Sequence, residues 1–186
     1  MDALTAIYSR HSVGKVKSDP VPRSVVEKLL AAGAQAPNHY KVRPWRFIVL
    51  TGSGLDKFGD QLAAILQSKS PETSTEILNS EKNKAHRAPV IIAVGVDQPV
   101  EPRVTELENI AAAAAAIENM LIAAQAIGLN TIWRTGDAAR NPEVKKFLGL
   151  SVEQNLLGFI YLGYPIESIP EFPERPTFED RTVWLE

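Results

Sequence analysis

Along this chain the spacing of apolar residues switches between the helical and the extended period, and the switches mark its elements. Leu4, Ile7 and Tyr8 predict a short helix over residues 2–10, with Arg10 at its end. Val25, Val26, Leu29, Leu30 and Gly33 predict a second helix. It must stop near Ala36-Pro37, because the residue before a proline is pushed out of the helical region. Residues 46–50 read as a strand closed by Thr51-Gly52, and Leu55, Phe58, Leu62, Ile65 and Leu66 give the next helix its buried stripe. Residues 67–88 are polar and predict an exposed loop with a helix around residues 76–84, an insertion that could act as a mobile lid. Residues 90–96 are apolar throughout, as in a central strand covered on both faces.

Residues 106–128 predict the longest helix, about 34 Å at the usual rise. Its alanines at 111–116 combine helix propensity with small size. That suits close helix packing at the centre of the molecule or of a dimer. Gly128 ends it, and residues 130–133 form a short strand. Asn141-Pro142-Glu143 reads as a cap and first turn of a helix with Val144, Phe147 and Leu148 inward, stopped by Gly149. Residues 156–163 make a fourth buried strand. From Tyr164 onward, Pro165, Pro170, Pro173 and Pro176 predict an extended arm that must lie against something, a partner subunit being one candidate.

Composition narrows the picture. The chain has 186 residues, 45% hydrophobic and 23% charged, which suits a single domain over 1–186. A net charge of -2 argues against a nucleic-acid or membrane-surface binder, though a local cationic pocket for a small anion remains open. Without cysteine there is no disulfide, thiol nucleophile or zinc-thiolate site, so redox chemistry would need a bound cofactor. The start of the chain lacks a signal-peptide pattern, and no apolar run reads as a membrane span. The expectation is a soluble, cytoplasmic protein.

Three polar loops follow apolar elements. The first, Ser9-Arg10-His11-Ser12-Val13-Gly14-Lys15, offers a guanidinium, an ammonium and two hydroxyls to an anion. Alone it reads first as surface charge matched to a helix end. The second, residues 36–45, has two prolines and many hydrogen-bonding side chains, and the third is Arg134-Thr135-Gly136-Asp137. Trp45 is expected to anchor the core, and Trp133 is open between core and ligand. His11, His39 and His86 lack metal-ligand spacing, and no Ser-His-acid order, P-loop or G-x-G-x-x-G run is present.

Arg10-His11-Ser12, Ala36-Pro37 with Arg43-Pro44-Trp45-Arg46-Phe47, Gly128 with Trp133-Arg134-Thr135-Gly136, and Leu162-Gly163-Tyr164-Pro165 resemble, in order and spacing, the nitroreductase family of FMN-dependent oxidoreductases. Within that family the chain is most similar to the short YdjA-like group, which keeps a His matching His39 and a basic residue matching Lys15. The resemblance implies an α+β nitroreductase-like fold with a central mixed β-sheet flanked by helices. It also implies a homodimer with exchanged C-terminal arms and one FMN in each of two interface pockets.

By the same resemblance Arg10, His11, Ser12, Lys15, Gln35, His39, Trp133, Arg134, Thr135, Gly136 and Arg175 would contact FMN. Ala123, Ala124, Gln125, Ala126, Ile127 and Gly128 would contact the nicotinamide. No catalytic side chain and no metal are expected, the chemistry being the flavin's. The implied activity is ping-pong transfer of hydride from NAD(P)H through flavin N5 to a nitroaromatic, quinone or similar acceptor. The alternatives are another acceptor on the same fold (enone reduction, dehalogenation) or a non-catalytic flavin-binding protein. Two departures stand out: Lys41 and Arg43 replace the common Asn and Gln before Pro-Trp, and Gly14 stands at the commoner basic position, which Lys15 could cover one residue later.

Overall fold

A computed structural model describes residues 1–166, 175 and 177–186. Its centre is β2 (Val90–Val96), buried at every position, as its unbroken apolar run requires. β2 lies between β1 (Trp45–Thr51) and β4 (Asn155–Gly163), and β3 (Asn130–Arg134) completes the order β1-β2-β4-β3. All three pairings of these strands are antiparallel. The parallel component of the expected mixed sheet is therefore confined, among the described residues, to one bridge between Ser12 and Thr131 on the outer edge of β3.

The period of two sends alternate residues of β2 into different cores. Ile91 and Ala93 face α3 (Ser53–Lys69) and α7 (Pro142–Phe147), where Phe58, Val144 and Phe159 gather. Val90, Ile92 and Val94 face α2 (Arg23–Gly33) and α5 (Glu106–Ala126), against Leu29, Ile117 and Met120. α5 is long and apolar enough by length and composition to cross a bilayer. Its inward side nevertheless packs on α1 (Ala3–Ser9), α2 and the sheet. The alanine run has the predicted use: a Cβ on Gly33 would stand 3.3 Å from the Ala116 carbonyl oxygen, so α2 seats closely on α5. α5 starts with a reciprocal capping box between Thr105 and Glu108.

The predicted helix near residues 76–84 is α4 (Thr75–Lys82), continued by a 3₁₀ turn, Asn83–His86. The segment stays largely exposed, as expected, but it is fastened to the body: Ala85 is buried, Lys82 pairs with Asp60 at 2.5 Å, and α4 rests on α3 where Gly59 has no side chain to block it. A further short helix, α6 (Asp137–Arg140), starts where a loop was expected, because Gly136 turns the chain at φ 99. Trp45 anchors less deeply than expected: it is partly exposed and stacks beside Phe47 at 6.4 Å. Pro165 bridges to Val16, whereas Pro170, Pro173 and Pro176 of the expected arm lie outside the described residues.

Candidate functional site

The first and third loops meet at the edge of β3. Arg10 caps the C-terminus of α1, and its side chain, 17% exposed, pairs with Glu118 of α5 at 3.2 Å. The chain then runs beside β3, with Ser12 bridged to Thr131 and the Val13 amide donating to the Thr131 carbonyl at 2.8 Å. At Gly14 it passes the guanidinium of Arg134, whose Nη2 would lie 3.2 Å from a Cβ there. Arg175 donates from its guanidinium to the carbonyl of Arg10, so the C-terminal segment reaches the same place. Ser12 and Lys15 are exposed beside it, and His11 is partly buried, with Nδ1 2.7 Å from the Ser9 carbonyl.

Strand alternation decides where the third loop points. Arg134 pairs with Phe159 and so faces α3, where its guanidinium sits 5.5 Å from the ring of Tyr161. Its Nε is buried without a hydrogen-bond partner among the described residues. Burial raises the Tyr161 hydroxyl above the ordinary tyrosine range, against the opposing pull of Arg134 and Arg87. Trp133 takes the other face. Its indole is 37% exposed and donates to the Leu157 carbonyl at 3.0 Å, so it is anchored at one edge with surface left for a ligand. Gly158, at φ 131, allows this: a Cβ there would press on the Arg134 carbonyl and stand 2.8 Å from the Trp133 Nε1. Thr135 is exposed, and Gly136 leads into α6.

The second loop does not join them within one chain. His39 holds Glu108 at 2.8 Å, and Arg103 stacks over Tyr40 at 4.0 Å, so this loop is fastened to the start of α5. Glu118, which holds Arg10, lies ten residues further along the same helix, about 15 Å at the usual rise. Tyr40, Lys41 and Arg43 all adopt left-handed backbone angles, and Lys41 and Arg43 are the two residues that depart from the common family pattern. Gln35 is exposed, with Nε2 3.4 Å from the Ala31 carbonyl.

The stretch expected to touch the nicotinamide closes α5. Ala124 is wholly buried, Ala123 packs on the core, and Ala126 is partly buried. Gln125 donates to the Ser9 hydroxyl at 3.3 Å, while Ile127 and Gly128 are exposed.

Sequence reading did not single out Glu118, Glu108 or Tyr161. Glu108 was detectable, since Thr105-x-x-Glu108 is a capping-box pattern. The other two have no local signal.

A family model described as "Nitroreductase family" matches residues 7–164. A Bacillus subtilis (strain 168) protein named "Putative NAD(P)H nitroreductase YfhC" is 31% identical over 176 residues, spanning 94% of this chain and 90% of its own. An Escherichia coli (strain K12) protein named "Putative NAD(P)H nitroreductase YdjA" is 31% identical over 168 residues, 89% of each chain. Among solved structures, a "putative nitroreductase in complex with fmn" from Desulfovibrio desulfuricans superposes with a TM-score of 0.77 at 26% identity, covering 100% of this chain and 98% of its own.

Proposed function

This chain belongs to the nitroreductase family, and from that premise we propose that it is an FMN-dependent oxidoreductase that takes hydride from NAD(P)H and reduces a nitroaromatic, quinone or similar acceptor. One observation carries the reading: Arg10 with Ser12, Arg134, and Arg175, from three stretches distant in sequence, gather at the outer edge of β3. That donor set suits a phosphate and an electron-rich ring edge. The FMN-bound structure of a 26% identical relative supports the same cofactor.

Arg10, Ser12, Lys15 and Arg175 would hold the phosphate. The exposed indole of Trp133 offers a flat surface beside the ring, and the backbone N–H groups at Thr135 and Gly136 would serve N5. When bound, FMN would supply the hydride-accepting centre. The chain supplies position and charge, for which no general acid is needed. Arg134 occupies the space beside Gly14, so we assign to it the positive charge that the sequence lacks at residue 14, in preference to exposed Lys15. Reductant and acceptor would use the same open face in turn, which is a ping-pong order.

Gln35 and His39 would complete the pocket from a second copy, because within one chain their loop is fastened elsewhere on α5. Leu4, Ile7 and Tyr8 of α1, with Trp184 and Leu185 near the C-terminus, are exposed apolar side chains suited to that homodimer. Absence of cysteine fits the reducing cytoplasm as the location.

The test is the visible spectrum of the purified protein after FMN addition, then after NADPH without oxygen. Flavin bands that bleach with NADPH and return on adding a nitroaromatic or quinone are expected. A colourless protein that takes up no FMN would refute the proposal.

A further inference from the structure

Among the described residues, the only ones other than glycine with a left-handed backbone stand in the second loop: Tyr40 at φ 50, Lys41 at φ 57 and Arg43 at φ 49. A Cβ makes that conformation costly, and glycine or asparagine would hold it more cheaply. The loop is forced into it from several sides. The Arg43 amide donates to Asn38 Oδ1 at 2.8 Å, Arg103 covers the Tyr40 ring at 4.0 Å, and His39 holds Glu108 at 2.8 Å. At its end the Asp97 amide donates to the carbonyl of buried Pro44 at 2.8 Å. Strain kept in place by so many contacts is the mark of a working segment.

Those contacts use the backbone, the rings and His39, and they leave out two charges. Lys41 and Arg43 are exposed, and among the described residues no carboxylate lies within ion-pair distance of either. The acids that fasten this loop are engaged: Glu101 takes Arg103 at 2.8 Å, and Glu108 takes His39 and the Thr105 amide. Solubility alone does not call for cations at strained positions, since any exposed site serves that end.

We propose, resting on the reading in which the loop of Gln35 and His39 completes the flavin pocket of a second copy, that Lys41 and Arg43 select the electron acceptor and favour one that carries a carboxylate or sulfonate. Two residues of chain span at most about 7 Å and four about 14 Å, so both cations stay near whatever His39 reaches. They therefore meet a group beside the ring, where a compact acceptor carries its charge, rather than the far phosphate of a dinucleotide. A guanidinium fork matches a planar carboxylate with two parallel bonds, and the ammonium adds a mobile point charge.

The test compares 4-nitrobenzoate with the uncharged 4-nitrobenzamide, of the same shape, as acceptors for FMN-saturated protein, in the parent and in the double variant Lys41→Asn, Arg43→Gln. Asparagine suits the left-handed angle, so the variant should melt no lower than the parent. Its kcat/KM should fall about tenfold for the nitrobenzoate and stay unchanged for the nitrobenzamide. Added salt should lower kcat/KM for nitrobenzoate more in the parent than in the variant. FMN affinity and kcat/KM for NADPH should match the parent. Equal effects on both acceptors, no effect on either, or a loss confined to FMN affinity or to NADPH would overturn the assignment and leave the flavin reading intact. A chain that takes up no FMN would overturn both.

Discussion

Arg134 rests against Gly14: a side chain starting at residue 14 would place its Cβ 3.2 Å from the Arg134 Nη2. Two loops 120 residues apart are thereby joined through a missing side chain. Gly14→Val should displace the guanidinium and remove one charge-assisted contact to FMN, weakening FMN binding about tenfold. Gly14 is exposed, so the melting temperature should hardly move. An unchanged FMN dissociation constant would remove Arg134 from the pocket.

Arg10 has a carboxylate partner already, and this permits a clean separation of roles. Arg10→Ala should cost about 1.5 to 3 kcal/mol of FMN binding, roughly one to two decades of affinity. Glu118→Gln breaks the same 3.2 Å pair but leaves the guanidinium in place, so FMN affinity should hold or improve. Equal losses in both variants would mean that Arg10 only ties α1 to α5.

Gly158 controls how closely β3 approaches β4. Ala there would take a left-handed φ and press on the backbone of Arg134, costing about 2 to 4 kcal/mol. Denaturant unfolding should show that loss. Whatever folded protein remains should bind FMN more weakly, because Trp133 and Arg134 move together.

The start of α5 gives a pH prediction. Glu108 is held below the ordinary glutamate range, first by the Thr105 backbone N–H and then by the Thr105 hydroxyl, with His39 adding to it. A carboxylate depressed in the folded state stabilises above its unfolded pKa, about 4.3, and that contribution is lost as pH falls through the folded value. Glu108→Gln should therefore melt below the parent at pH 7, and the gap should close as the pH is taken well below 4. Thr105→Ala should cost about 1 kcal/mol, as loss of a helix cap does. A gap that is constant from neutral to acid pH would show that the charge of Glu108 is not what stabilises the cap.

Much of the scaffold was legible in the chain. The unbroken apolar run of β2 announced a strand covered on both faces, and Asn141-Pro142 announced the start of α7. α4 was placed close to its observed position, but its attachment to α3 was not, since that depends on Gly59 meeting the backbone of Lys82 from another element. Of the candidate site, the residue types and the three loops were visible, as were the departures at Gly14, Lys41 and Arg43.

By itself the sequence determined the elements, their buried faces and a family pattern of cations and prolines, because each of these is written in spacing over a few residues. Only the tertiary structure decided that loops one and three meet while loop two is held elsewhere on α5, that Arg10 already has Glu118, and that Arg134 turns to the α3 side of the sheet while Trp133 takes the other face. The reason is physical. Local spacing sets which way a side chain leaves its own backbone, but what it meets depends on the order β1-β2-β4-β3 and on helix seating, set by contacts between residues far apart in the chain.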